Sequence, residues 1–107
     1  MAKVRRKAEP RKAPSRKIEV RRPSEEELAR LGCSSWEIWT CEAKTFPWKY
    51  DERETCLILE GRVRVEGRGE DEGLVAEFGP GDLVVFPEGL ECEWIVKEPV
   101  RKHYRFG

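Results

Sequence analysis

The chain of 107 residues contains no asparagine, no glutamine and a single histidine, His103. Missing amides beside 39% charged residues fit selection at high temperature, where amides deaminate and ion-pair networks gain value. A melting temperature above the usual ~45–65 °C is therefore expected. GC-rich coding or redesign would leave the same mark. No apolar run approaches the ~20 residues of a membrane-spanning helix. No apolar stretch near the N-terminus matches a signal peptide. These absences predict a soluble protein of the cytoplasm with no membrane partner. The four cysteines, at 33, 41, 56 and 92, form no CxxC pair and no zinc-ribbon spacing. Four reduced thiols are expected, most of them buried as small hydrophobes.

Net charge is absent too, but only as a sum. Residues 1–22 hold ten Lys/Arg against two Glu, a net of +8, and residues 23–107 carry the compensating −8. A basic arm thus precedes an acidic body. Residues 1–17 have almost nothing apolar to bury, which predicts a solvated tail with few contacts to the body. A targeting remnant for an organelle is the alternative, weakened because Ser15 is its only hydroxyl residue. Nucleic acid is not the expected partner, because the acidic body would repel phosphates.

What is present reads as strands. Ile18-Glu19-Val20-Arg21 alternates as a short first strand. A single helix is predicted over 25–31, with Ser24 as N-cap, Glu27 completing a capping box and Gly32 ending it. From Trp36 onward the apolar period is two. Glu54 to Leu59 is apolar on both faces, and Glu60-Gly61 reads as a turn into Arg62–Glu66. Leu83–Phe86 is a buried strand between Gly79-Pro80-Gly81-Asp82 and Pro87-Glu88-Gly89. Cys92, Trp94 and Val96 share one face, and Val100 to Phe106 closes the sheet. Many short strands separated by Gly/Pro turns predict a sandwich or barrel of two antiparallel sheets.

Eight positions sharpen this. Trp48, Tyr50, Glu54 and Gly61, then Gly81, Pro87, Gly89 and Cys92, keep the spacing HxHx(3,4)Ex(6)G followed by Gx(5)PxGxxHx(3)N. The chain thereby resembles the cupin superfamily. The resemblance is strongest to small single-domain cupins grouped with the (S)-ureidoglycine aminohydrolase cupin domain, and more distant to the ethanolamine-utilisation cupins. Trp36, Phe46-x-Trp48-x-Tyr50, Glu54-Thr55-Cys56, Leu59-Glu60-Gly61, Gly81–Pro87, Gly89-Leu90-x-Cys92-x-Trp94 and Lys102-His103-Tyr104 carry it. The resemblance implies an all-β, cupin (RmlC-like) jelly-roll β-barrel over 18–107 with one short N-terminal helix, and assembly as a homodimer. It also implies that Trp48, Tyr50, Glu54 and Cys92 line the barrel mouth, with Cys56 and Trp94 one pleat further along.

Most metal ligands of that pattern are replaced. Trp48 and Tyr50 stand at two histidine positions, Cys92 at the third and Val96 at the asparagine. An indole has no free lone pair, and a phenol ionises only near pH ~10. The expectation is accordingly no cofactor and no metal. Aromatic bulk is expected to fill the space a metal would need. A site of Glu54, Cys92 and His103 is the alternative by ligand count. Glu54 and Cys92 are the candidate catalytic pair, as acid or base and as nucleophile. Trp48, Tyr50, Cys56 and Trp94 are candidate ligand-binding residues for an unknown small molecule. Three functions stay open: a metal-independent binding barrel, a metal-dependent hydrolase similar to the aminohydrolase, and a structural or regulatory dimer with a packed barrel.

Overall fold

Alternation dictates the strands, and the pleat sends every second side chain inward. In the computed structural model, which describes residues 16–107, the strands are β1 (Glu19–Arg21), β2 (Glu37–Cys41), β3 (Lys44–Lys49), β4 (Glu54–Gly67), β5 (Val75–Phe78), β6 (Leu83–Phe86) and β7 (Glu91–Phe106). All pairings are antiparallel, in the order β1-β6-β4-β7-β2, with β3 also on β7 and β5 also on β4. The all-β barrel with one α-helix is as the sequence predicts.

The expected turn at Glu60-Gly61 is absent, and the strand expected over Val100 to Phe106 begins earlier, running through Lys97-Glu98-Pro99 from Glu91. Both segments lie inside long strands, β4 and β7, which pair with each other on either side of an irregular stretch. Register shifts between Ile58 and Val63 bend β4 instead. Gly61 sits at the bend with φ +101°, and a Cβ there would lie 2.4 Å from the Pro99 carbonyl oxygen. Only glycine fits that approach. The expected two sheets are consequently one continuous sheet, coiled so that β4 and β7 serve both halves. The first half of β4 pairs β6 and the end of β7, whereas its second half pairs β5 and the start of β7.

The helix α1 (Glu25–Leu31) is where the cap predicts it. Ser24 Oγ accepts from the Glu27 amide, and Gly32 closes the C-terminus in the left-handed region. The reciprocal half of the capping box is missing because the Glu27 carboxylate pairs with Arg21 instead. No helical residue is fully buried. No helix among the described residues is long and apolar enough to cross a membrane.

The core is the inward face of β4, β6 and β7: Cys56, Ile58, Val63 and Val65, then Val84 and Phe86, then Cys92, Trp94, Val96 and Val100. Fourteen residues make one cluster, Tyr50 and Leu90 among them. Residues 1–15 of the predicted tail lie outside the described residues. Arg16, at the tail's edge, contacts the body. Its guanidinium donates to the Glu88 carbonyl and to the buried Asp71 carboxylate, each at 3.1 Å. Asp71 in turn accepts from the Glu91 amide. A buried carboxylate needs such donors, and the tail supplies one of them.

Candidate ligand-binding site

The pleat of β4 that buries Cys56 and Ile58 also turns Glu54 inward, leaving it 3% exposed. On β7 the same rule turns Val100, Lys102 and Tyr104 to the interior side, and Lys102 is 5% exposed. In the β4–β7 register Glu54 lies opposite Phe106 and Lys102 opposite Ile58, so the two meet only because both side chains are long and reach toward each other along the interior. Lys102 Nζ donates to Glu54 Oε2 at 2.7 Å. Aromatic rings enclose the ammonium: Nζ lies 4.6 Å from the Trp94 ring centroid, 4.8 Å from Trp39 and 5.9 Å from Tyr104. Ring quadrupoles attract a cation held at such distances, the more so away from water.

This pair lines a cavity of about 230 Å³ together with Trp39, Phe46, Trp48, Tyr50, Trp94, Tyr104 and Phe106. The expectation that aromatic bulk fills the mouth is therefore corrected. The rings stack against one another along the walls rather than across the opening. Tyr50 lies flat on Phe86 at 4.9 Å, and Trp94 stacks on Phe46 at 6.0 Å. Trp94 Nε1 donates to Tyr50 Oη at 3.1 Å, which fixes both rings. Burial pushes the Tyr50 phenol well above its ordinary value, so it enters the cavity wall as a neutral hydroxyl. Trp48 and Phe106, each about half exposed, form the rim.

Of the sequence candidates, Trp48, Tyr50, Glu54 and Trp94 come together here, while Cys92, Cys56 and His103 do not. Cys92 and Cys56 face inward but lie in the packed core, outside the cavity lining. Burial pushes both thiols up to about 12, which keeps them protonated and poorly nucleophilic. His103 follows Lys102 in β7, and alternation sends it to the other side of the sheet. Its Nδ1 sits 3.1 Å from the Trp36 carbonyl oxygen. The alternative ligand set of Glu54, Cys92 and His103 is thus not assembled. Among the described residues no three His, Cys, Asp or Glu side chains cluster as metal ligands do. The donor set does not fit a transition metal, and the glutamate that would be a ligand is already bound to an ammonium.

Sequence reasoning missed Lys102, Trp39, Phe46, Tyr104 and Phe106 as lining residues. A lysine at an inward position, flanked two residues on either side by Val100 and Tyr104, was the available signal for the first of them.

A coiled antiparallel sheet that brings Trp48, Tyr50 and Glu54 of the first motif to one end of the interior is a cupin barrel, here with aromatic rings at two imidazole positions and a thiol at the third. The EutQ-like cupin domain family (Cupin_3) matches residues 28–104. A DUF861-family protein from Thermotoga maritima is 45% identical over 85% of this chain and 100% of its own, with a TM-score of 0.80. The chain belongs to the EutQ-like cupin family. The fold alone is shared with a putative ethanolamine utilization protein Q from Salmonella typhimurium, 23% identical over 83% of this chain and 68% of its own, TM-score 0.57. The same holds for the EutQ protein of Clostridium difficile, 18% identical over 87% and 69%, TM-score 0.58. No curated protein matches the chain.

Proposed function

We propose that this chain is a metal-independent, small-molecule-binding cupin whose barrel mouth takes a small, flat, largely apolar ligand carrying one polar group. One observation carries the reading: a buried carboxylate–ammonium pair forms part of the wall of an aromatic cavity. Glu54 Oε2 is engaged by Lys102, while Oε1 has no donor among the described residues. A buried acceptor left open costs free energy that a ligand N–H or O–H would recover. Aromatic walls with a few convergent polar groups are the usual make-up of small-ligand sites. The cavity exceeds by far the room one water needs, which disfavours a simply packed barrel. The metal-dependent hydrolase reading has no such support, since positions 48, 50 and 92 offer no imidazole. In this reading Lys102 supplies the positive charge that a metal ion would otherwise place beside Glu54.

The test is a melting-shift and tryptophan-fluorescence titration of the full chain with benzyl alcohol, benzamide and benzoate, beside elemental analysis of protein purified without added metal. Saturable binding by at least one probe, weakened in Trp48→Ala and Glu54→Gln, is expected, with no stoichiometric metal. Stoichiometric manganese, iron or zinc that is lost in Glu54→Gln would overturn the metal-independent part. No binding by any of the three would overturn the ligand class. Homodimer formation belongs to the same proposal. β1 pairs only β6 among the described residues, which leaves its outer edge to another chain. Sedimentation at micromolar concentration giving monomer mass alone would remove it.

A further inference from the structure

We propose that Lys102 is a carbonyl-reactive amine, forming a Schiff base with a small aldehyde that enters the aromatic cavity, with Glu54 carrying the protons. The proposal rests on the cavity being a ligand site. It goes beyond that reading by giving the site covalent chemistry.

Lys102 is the sole buried lysine among the described residues, while Lys17, Lys44, Lys49 and Lys97 are exposed. It nevertheless lines an accessible cavity. Lysines in such dry surroundings are the ones that serve as Schiff-base formers. Its hydrogen-bond partner, Glu54 Oε2 at 2.7 Å, is the one carboxylate in the cavity lining and so the base within reach. The remaining N–H bonds of the ammonium face ring surfaces rather than acceptors.

The step balances within this pair. The ammonium passes a proton to the Glu54 carboxylate, and the neutral amine attacks the carbonyl carbon. The N–C bond forms as the carbonyl π pair moves to oxygen. Glu54 protonates that oxygen and takes back a proton from nitrogen, leaving a neutral carbinolamine. Glu54 then protonates the hydroxyl, the C–O bond breaks and water leaves. The nitrogen lone pair closes the C=N bond of an iminium. No oxidant or further co-reactant is needed.

Charge is conserved along the way. The site begins as ammonium beside carboxylate and ends as iminium beside carboxylate. Burial therefore does not oppose the overall change, although it would oppose creating a new lone charge. The rings of Trp39, Trp94 and Tyr104 that hold the ammonium hold the iminium by the same attraction.

The experiment treats the full chain with benzaldehyde and sodium cyanoborohydride at neutral pH, then locates benzyl adducts by peptide mass mapping over time. Lys102 should be modified at least about tenfold faster than Lys44, Lys49 or Lys97, because the cavity holds the aldehyde beside the amine and its base. Benzyl alcohol has the same shape without a carbonyl, and should slow modification at Lys102 alone. Glu54→Gln should slow Lys102 and leave the exposed lysines unchanged. Lys102→Met should lose only this adduct. Wild-type mapping decides the matter even where that variant does not fold. Modification of Lys102 no faster than the exposed lysines overturns the proposal. If benzyl alcohol still raises the melting temperature in that case, the cavity binds ligands and only the covalent step falls. If it does not, both fall.

Discussion

Two groups of ion pairs involve β4 and β7, one inside the barrel near the start of β4 and one outside near its end, where β5 joins in. Inside, Lys102 and Glu54 meet at 2.7 Å with side chains 6% and 4% exposed. Outside, Arg64 pairs with Glu66 and Glu77, Arg68 with Glu66 and Glu93, and Lys97 with Glu77, all substantially exposed. Arg64 Nε reaches Glu66 Oε2 at the same 2.7 Å. Contact geometry is alike, but the energetics are not. Taking two ions out of water costs several kcal/mol each, and their attraction only offsets it. Exposed pairs cost little and contribute little. An apolar pair of similar volume would hold β4 to β7 at least as well as Lys102 and Glu54. Fold stability thus gives the inner pair no advantage over an apolar one, whereas the proposed role at the cavity would.

The largest expected effect breaks the inner pair on one side only. Lys102→Ala leaves Glu54 buried without its counter-charge, and should cost about 3–5 kcal/mol of unfolding free energy. The double variant Glu54→Leu/Lys102→Met should recover most of that loss, since it removes both charges. Arg68→Ala on the outer face should cost no more than about 1 kcal/mol. Urea unfolding of the three variants checks the contrast. Equal losses at the two places would show that burial does not distinguish them.

Most of the fold was legible because it is written in backbone requirements. Gly61, Gly81 and Gly89 all have φ near +90 to +100°, at +101°, +92° and +87°, so their spacing marks where the chain must bend. Period-two alternation then assigns the inward faces. Four of the nine lining residues were legible for the same reason, since Trp48, Tyr50, Glu54 and Trp94 lie at fixed distances from those glycines. Lys102 was not, because its meeting with Glu54 depends on the register between β4 and β7. In it Lys102 lies opposite Ile58, four residues from Glu54, and no local pattern announces the pairing of strands so far apart in the chain. The cysteines show the complementary error. Alternation rightly put Cys56 and Cys92 inside, but the interior has an open end and a packed remainder, and both thiols belong to the latter.

Alkaline titration sharpens the contrast from the packed part of the interior. Cys56 lies one pleat from Glu54, and burial raises its thiol, like that of Cys92, from 9.0 to about 12. A raised pKa means the folded state keeps a proton that the unfolded chain releases. Stability is then fully present below pH ~9 and declines between ~9 and ~12. The slope should be about 1.4 kcal/mol per pH unit for each thiol that stays protonated. Urea midpoints from pH 8 to 11 measure it. Replacing both cysteines by alanine should flatten the slope at the expense of baseline stability. An unchanged slope would mean the thiols are solvated.

On the outer face the contributions are individually small, roughly 0.2–1 kcal/mol per pair, and matter through their number. Arg64, Glu66, Arg68, Glu93, Glu77 and Lys97 form a continuous chain of contacts. Networks of this kind gain weight with temperature as ion desolvation becomes less costly. Scanning calorimetry should therefore place the melting temperature above the ~45–65 °C range, with a decrease of a few degrees in 1 M sodium chloride. Screening reaches exposed charges but not the inner pair. A melt within the mesophile range, insensitive to salt, would leave the missing amides without a thermal explanation.

The smallest expected effect on stability, and a discriminating one, concerns Trp48. Its ring is 48% exposed and meets Tyr50 edge-on at 6.3 Å, while Tyr50 itself is held by Phe86 and Trp94. Little of the core depends on it. Trp48→Ala should accordingly change the unfolding free energy by no more than ~0.5 kcal/mol, the range of surface substitutions. Binding of an aromatic probe should nevertheless weaken by about 1 kcal/mol, the value of one aromatic contact beyond its buried area. A side chain that matters more for ligand than for fold is what a cavity rim requires. The opposite result, lost stability with unchanged binding, would make Trp48 a lid on the core. It would return the inner ion pair to a purely structural role.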